Sequence, residues 1–447
     1  MSHVQEEDTY IKEFRSWFTD NGGKMHEKMA FSSDNTGYSV KAREEISPGT
    51  VIASCPFSLA ITVETCHIPL EQYLHVNKEK QGSFSERQLI CAYIALHWII
   101  SSEDDESQLL KHRPYINVLP KPEALRTPLY FTEFELNMFQ GTNMFGAVKD
   151  QRESWQKEYK ALRDAIHESS PNVFEKFSWD MYCAAATYLS SRAFPSSLLS
   201  VTPSLVASPS SYPVLLPGVD SLNHKRGHPV VWNVSRSEKI PTTNIQDALE
   251  DNLNIEISSE FPYSKGEEIL NNYGPKPNSS LILGYGFALP DNLDDTILLK
   301  IGSSSMPSSG LASEHQKQAD CGIEIGRNAS GADKVWEIVK QAVFQNYEVD
   351  ESIGQEDLEA LNLQIDMETA ETLANMVVNL RSKVPSTLNA SKPVDVRDDV
   401  YTMWLVYTQG QADILDTFLQ WTREQNRAAV RRAEELGVIL LGEEEEV

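Results

Sequence analysis

Two short stretches of this chain hold the side chains whose types and spacing could do chemistry. Residues 215 to 224, LLPGVDSLNH, gather a carboxylate, an amide and an imidazole at Asp220, Asn223 and His224. Residues 267 to 278, EEILNNYGPKPN, carry a phenol at Tyr273, and the LILGYGF run that follows carries another at Tyr285. Amide, imidazole and phenol groups donate and accept hydrogen bonds, so together they could hold a polar ligand. Taken singly, each has a plain explanation. An Asn-His pair usually marks a turn with a surface imidazole. Tyr-Gly pairs mark strand ends or turns where Gly supplies unusual backbone angles, and Tyr285 and Phe287 fit a hydrophobic core.

Other catalytic signatures are missing. The chain has no G-x-x-x-x-G-K-[ST], no G-x-S-x-G and no H-E-x-x-H, which removes the usual phosphate cradle, nucleophile elbow and zinc helix. Gly284-Tyr285-Gly286-Phe287 lacks the third Gly of a dinucleotide fingerprint. Cys55, Cys66, Cys91, Cys183 and Cys321 are far apart and odd in number. They support neither a disulfide framework nor a Cys-rich zinc site, so no metal is expected.

Composition narrows the class further. The 447 residues carry 39 Lys and Arg against 65 Asp and Glu, a formal charge of −26, which argues against nucleic acid as a direct ligand. An acidic surface instead attracts cationic partners such as Lys-rich protein segments. The longest apolar run, Leu89 to Ile100, is too short to cross a bilayer and reads as a buried helix. The first residues carry acids early and show no secretory pattern, so a reduced, intracellular protein is expected, without membrane contact.

The elements that must position the two stretches can be read from periodicity. Ile11, Phe14 and Phe18 stand at helical spacing. Residues 36 to 62 are β-like, as TGYSVKA, TVIAS and FSLAIT, divided by a Ser-Pro-Gly turn and by Pro56. Residues 85 to 190 are helical, and the Ser/Pro-rich residues 196 to 212 read as a surface insertion loop. Short β-like segments return at 230 to 233, 253 to 257 and 296 to 301, with the Tyr-Gly run of 283 to 287 leading into a loop. Residues 302 to 318 read as a linker, and helices follow over 333 to 347, 366 to 380 and 400 to 436.

Read in order, the stretches resemble the closing motifs of SET-domain protein-lysine methyltransferases. The resemblance is to the Rubisco large-subunit and ribosomal-protein lysine methyltransferase branch, which reads D-x-x-N-H, then Y-G-x-x-x-N and Y-G-F. Asn35-Thr36-Gly37-Tyr38-Ser39-Val40-Lys41-Ala42 resembles the opening motif. Tyr115 to Pro120, Thr127 to Thr132, Gly141-Thr142, Ser191 to Phe194 and Tyr407 to Gln411 follow as further landmarks in family order. The resemblance implies an α+β SET-domain fold of short sheets over residues 23 to 288. It includes a helical insert at about 85 to 190 and a surface loop at about 195 to 213. An all-α substrate-binding domain would follow over 319 to 447.

It also implies an activity: methyl transfer from S-adenosyl-L-methionine (AdoMet) to the ε-amine of a lysine. The substrate would be a basic, non-histone protein, a ribosomal protein by likeness to fungal members, met in the cytoplasm or nucleus. Free Lys has a pKa of about 10.4, and a desolvated channel beside a sulfonium lowers it. Tyr273 would be the catalytic tyrosine, its oxygen aligning amine and methyl. Thr36, Gly37, Tyr38, Arg192, Asn223 and His224 would hold the cofactor, Arg192 through the cofactor carboxylate. Ser191, Asp220, Tyr273 and Tyr285 would surround the lysine, with Asp220 ordering the loop before Asn223. Ser39 stands where many members have a second Gly, and the loop before residue 213 lengthens the Arg192-to-Asp220 spacing. The alternatives are a non-catalytic SET-fold peptide-binding module, or a histone methyltransferase; the absence of a Cys-rich segment after the Tyr-Gly run disfavours the latter.

Overall fold

The computed structural model describes residues 7–34, 37–105, 108–200, 202–206, 208–236, 253–300, 322–348, 354–388 and 390–437. Its contacts divide the chain into two compact units. The first comprises Met1–Thr127 with Asp150–Pro275, and the second Pro128–Lys149 with Lys276–Val447. Part of the stretch read as a helical insert, residues 128–149, thus belongs with the C-terminal helices.

In the first unit, a four-stranded antiparallel sheet runs in the order Lys24–Met25, Thr50–Pro56, Leu253–Ser259, Val230–Arg236. Leu253–Ser259 is a central strand, paired on one side with Thr50–Pro56 and on the other with Val230–Arg236, and is buried almost throughout. A separate hairpin pairs Met29–Asp34 with Gly37–Ala42, in register from Met29 opposite Ala42 to Asp34 opposite Gly37. The inner hairpin strand is laced to residues 266–271: Ile269 N–H donates to the Val40 carbonyl (2.8 Å) and Ala42 N–H to the Glu267 carbonyl (2.9 Å). Leu270–Asn271 in turn pairs in parallel with Asn223–His224. These ladders bring the opening motif and both closing motifs of this unit to one place.

Helices cover the sheets. Thr9–Asp20 buries Ile11, Phe14 and Phe18, and the Asp8 carboxylate caps it through Ile11 N–H at 2.9 Å. Glu86–Ile99, which contains most of the apolar run, is buried on nearly every face and packs on Trp179–Arg192. No described helix is long and apolar enough to cross a membrane.

Two local expectations fail. FSLAIT is not a strand: Pro56 lacks an N–H with which to extend the ladder, so a single 3-10 turn, Phe57–Leu59, follows it. The Tyr-Gly run closes a helix, Asn278–Tyr285, rather than a strand or turn. Gly286, at φ +79°, terminates it by donating to the carbonyls of Leu281 (3.0 Å) and Ile282 (3.1 Å). The presumed linker of 302 to 318 lies outside the described residues.

The second unit is built on Ala332–Phe344, Gln355–Lys383 and Asp398–Glu435, packed over the antiparallel pair Thr296–Leu299 and Ile323–Gly326. Ile297, Leu299, Ile325, Val335, Leu373, Ile414, Leu415 and Phe418 form its core. The middle helix begins at Gln355, well before residue 366, with Leu358, Leu361 and Ile365 already at helical spacing in its first turns. Glu135, wholly buried, receives the Arg397 guanidinium through Nε (2.9 Å) and Nη2 (2.8 Å), fixing 128–149 to the start of the last helix. Burial favours the neutral carboxyl, yet these bonds and the Thr132 N–H hold Glu135 down at about 2.

Candidate active site

The parallel pairing of Asn223–His224 with Leu270–Asn271 is the foundation of the site. Just past it, Tyr273 N–H donates to His224 Nδ1 at 3.0 Å. A neutral His224 therefore carries its proton on Nε2. The two rings stack 4.9 Å apart at an interplanar angle of 23°. The Tyr273 hydroxyl donates to the Leu222 carbonyl at 2.9 Å, which fixes the phenol and turns the oxygen lone pairs outward as acceptors. Gly274, at φ +86°, makes the turn that follows the tyrosine.

Asn223 is oriented by a residue the sequence did not single out. Its Nδ2 donates to Glu268 Oε1 at 2.7 Å, so the amide oxygen faces away from that carboxylate. Glu268 is bridged through its backbone to Lys41 of the hairpin. Its position beside Asn223 depends on two strand pairings, and no local spacing reveals it.

Arg192 ends the helix Trp179–Arg192, and the insertion loop separates it from Asp220 in sequence. The loop closes at its base, where Phe194 pairs with Val214. Arg192 Nη1 accordingly reaches the Asp220 carbonyl at 3.1 Å and lies 3.6 Å from its carboxylate. Tyr115 donates its hydroxyl to the same carboxylate at 2.6 Å. Burial pushes the Asp220 carboxyl upward against the opposing pull of Arg192 and Tyr115. The Arg192 guanidinium is raised despite its burial, by Asp220 first and then by Tyr115 and Tyr273, so arginine and catalytic-candidate tyrosine share one field. Asp220 occupies part of the arginine's hydrogen-bonding capacity that the sequence had reserved for a ligand carboxylate.

The remaining candidates divide. Gly37, at φ +131°, begins the inner hairpin strand, and a Cβ there would lie 3.7 Å from Pro120. The Tyr38 hydroxyl donates to Asp8 and its ring meets Phe31 edge-on at 6.2 Å. Ser191 donates its hydroxyl to the Thr187 carbonyl of its own helix at 2.7 Å. Thr36 lies outside the described residues. Tyr285 belongs to the second unit, at the end of Asn278–Tyr285, with Lys276 Nζ 5.8 Å above its ring and Phe287 edge-on at 6.1 Å. Burial pushes its hydroxyl up to about 12.

Within the first unit, this set orients polar groups around the stacked rings of His224 and Tyr273. Burial raises the thiols of Cys55, Cys66 and Cys91, so these three are poor nucleophiles. Among the described residues no group of three or more His, Cys, Asp or Glu is gathered to hold a metal ion.

No protein-family model matches the chain. The ribosomal lysine N-methyltransferase set10 of Schizosaccharomyces pombe is 31% identical over 411 residues, covering 88% of this chain and 64% of that protein. The N-lysine methyltransferase SETD6 of Rattus norvegicus is 26% identical over 308 residues, covering 66% of this chain and 57% of that protein. The chain thus spans less than two thirds of the length of these relatives. Among solved structures, the SET domain of LSMT bound to methyllysine and AdoHcy superposes with a TM-score of 0.70 at 17% identity, covering 98% of each chain. Rubisco LSMT bound to AdoMet superposes with a TM-score of 0.66 at 16% identity over the same share of both chains. The chain therefore has the SET-domain fold, with a sequence similar over most of its length to that of a ribosomal lysine N-methyltransferase.

Proposed function

We propose that this protein is an AdoMet-dependent protein-lysine N-methyltransferase. Its substrate is a basic, non-histone protein, best fitted by a ribosomal protein, met in the cytoplasm, the nucleus or both. The observation that carries the reading is Tyr273, stacked on His224 with its hydroxyl tied to the Leu222 carbonyl. A phenol oxygen held this way is an acceptor of fixed direction in a setting that needs no nucleophilic side chain.

The donor set fits AdoMet. Asn223, with its amide oriented by Glu268, and His224, a donor at Nε2, suit the polar ends of the cofactor. Gly37 and Tyr38 offer backbone at the hairpin, and Arg192, beside Asp220, offers positive charge to a carboxylate. Bound AdoMet supplies an electrophilic methyl group on a sulfonium. The chain's own task is to align the amine, and holding both reactants in line recovers much of the barrier. Tyr273 would orient the amine, its oxygen being suited to accept weak C–H···O contacts from a polarised methyl. A lysine brought out of bulk water beside a sulfonium would give up its proton more readily. The net charge of −26 favours encounter with a lysine-rich protein.

The test is incubation with labelled AdoMet and extract from cells lacking the gene, followed by identification of the labelled residue. Transfer to lysine of a ribosomal protein, reduced at least about a hundredfold by Tyr273→Phe as expected for loss of an orienting group, is the expected result. A wild-type chain with no affinity for AdoMet would point to the peptide-binding alternative. Equal transfer by Tyr273→Phe would remove the tyrosine from the mechanism.

A further inference from the structure

The hairpin that offers Gly37 and Tyr38 is held from outside by two consecutive acids at the start of the described chain. Glu7, with its side chain 8% exposed, accepts Phe31 N–H of the outer hairpin strand at 2.9 Å. The same carboxylate pairs with Arg15 of the first helix at 2.9 Å and with Arg43, just past the inner strand, at 3.3 Å. Arg15 also donates to the Met29 carbonyl at 3.0 Å and lies 5.3 Å over the Phe31 ring. Asp8 uses its two oxygens differently. Oδ1 caps the helix Thr9–Asp20 through Ile11, and Oδ2 accepts the Tyr38 hydroxyl.

Both hairpin strands are therefore tied to one helix N-terminus, by a backbone amide on the outer strand and a phenol on the inner. The inner strand is also the one laced to residues 266–271, and through them to Asn223 and His224. A two-stranded hairpin is marginal in water by itself, so its place over a ligand depends on such ties. We propose that Glu7 and Asp8 are positioning residues for the cofactor hairpin: they set AdoMet affinity through Phe31 and Tyr38 without touching the cofactor. The proposal rests on the AdoMet-binding reading above.

The measurement is AdoMet affinity by calorimetry on the full chain, well below the melting temperature of each variant. Asp8→Ala and Glu7→Ala are each expected to weaken binding about tenfold, the scale of one hydrogen bond to a charged group. Glu7→Gln, which retains an acceptor for Phe31 N–H but loses charge toward Arg15 and Arg43, is expected to fall between wild type and Glu7→Ala. Tyr38→Phe should weaken binding by no more than Asp8→Ala, which also removes the helix cap, and the double variant should be no worse than Asp8→Ala alone, because the phenol acts through that carboxylate. Wild-type affinity in Asp8→Ala and Glu7→Ala, or full additivity of Asp8→Ala with Tyr38→Phe, would overturn the proposal even if melting temperatures fell. A wild-type chain that fails to bind AdoMet would instead overturn the cofactor reading on which it stands.

Discussion

Replacing Gly410 by alanine sets two effects of opposite sign against each other. Gly410 lies inside Asp398–Glu435, where helix propensity alone favours alanine by about 1 kcal/mol. Its missing side chain is occupied, however. A Cβ at 410 would lie 2.5 Å from Asp295 Oδ2 and 3.6 Å from Arg327 Nη2. Asp295 is 1% exposed and cannot step aside freely, because it accepts Asn278 N–H at 2.8 Å and Asn278 Nδ2 at 3.0 Å. Asn278 in turn bonds both the N–H and the carbonyl of Leu289, so displacement of the carboxylate disturbs the start of the helix that ends at Tyr285. Hydrogen bonds to a charged group are worth roughly 1.5–3 kcal/mol each. Losing one and loosening the other costs about 2–5 kcal/mol, which outweighs the propensity gain and leaves Gly410→Ala less stable by about 1–4 kcal/mol. Urea unfolding followed by circular dichroism measures this directly. In an Asp295→Ser background the obstruction is gone, and the same alanine should stabilise by up to about 1 kcal/mol. A neutral or stabilising Gly410→Ala in the wild-type background would refute the reasoning, as would equal destabilisation in both backgrounds.

Two further predictions concern pH. Glu135 is held at about 2 in the folded chain against an ordinary 4.5, so its contribution is fully present above pH 4.5 and fades as pH falls toward 2. The shift corresponds to about 3 kcal/mol, and Glu135→Gln should flatten the stability profile in that window. A variant profile parallel to wild type there would sink the assignment. His97 is lowered from 6.5 to about 4, chiefly by burial. The unfolded chain therefore takes up a proton that the folded chain refuses, and stability declines as pH falls from 6.5 to 4. His97→Gln should remove that part of the slope, which melting temperatures across the range would detect; an unchanged slope would mean that the imidazole is not kept neutral.

The sequence by itself determined the periodic elements and the motif order. Ile11, Phe14 and Phe18 announced the first helix and the apolar run from Leu89 a buried one, because each is written in local spacing, while the ordered D-x-x-N-H and Y-G motifs pointed to the SET fold through their resemblance to that family. Tertiary structure decided what no spacing could show. Arg192 meets Asp220 only because the intervening loop closes at Phe194 and Val214. Tyr115 reaches the same carboxylate from 105 residues away. Glu268 orients Asn223 only because two strand pairings bring them together, and residues 128–149 join the C-terminal helices through Glu135 and Arg397. These contacts arise when chain closure brings distant backbone into register and burial then requires each polar group to find a partner. Neither condition leaves a periodic trace in the sequence.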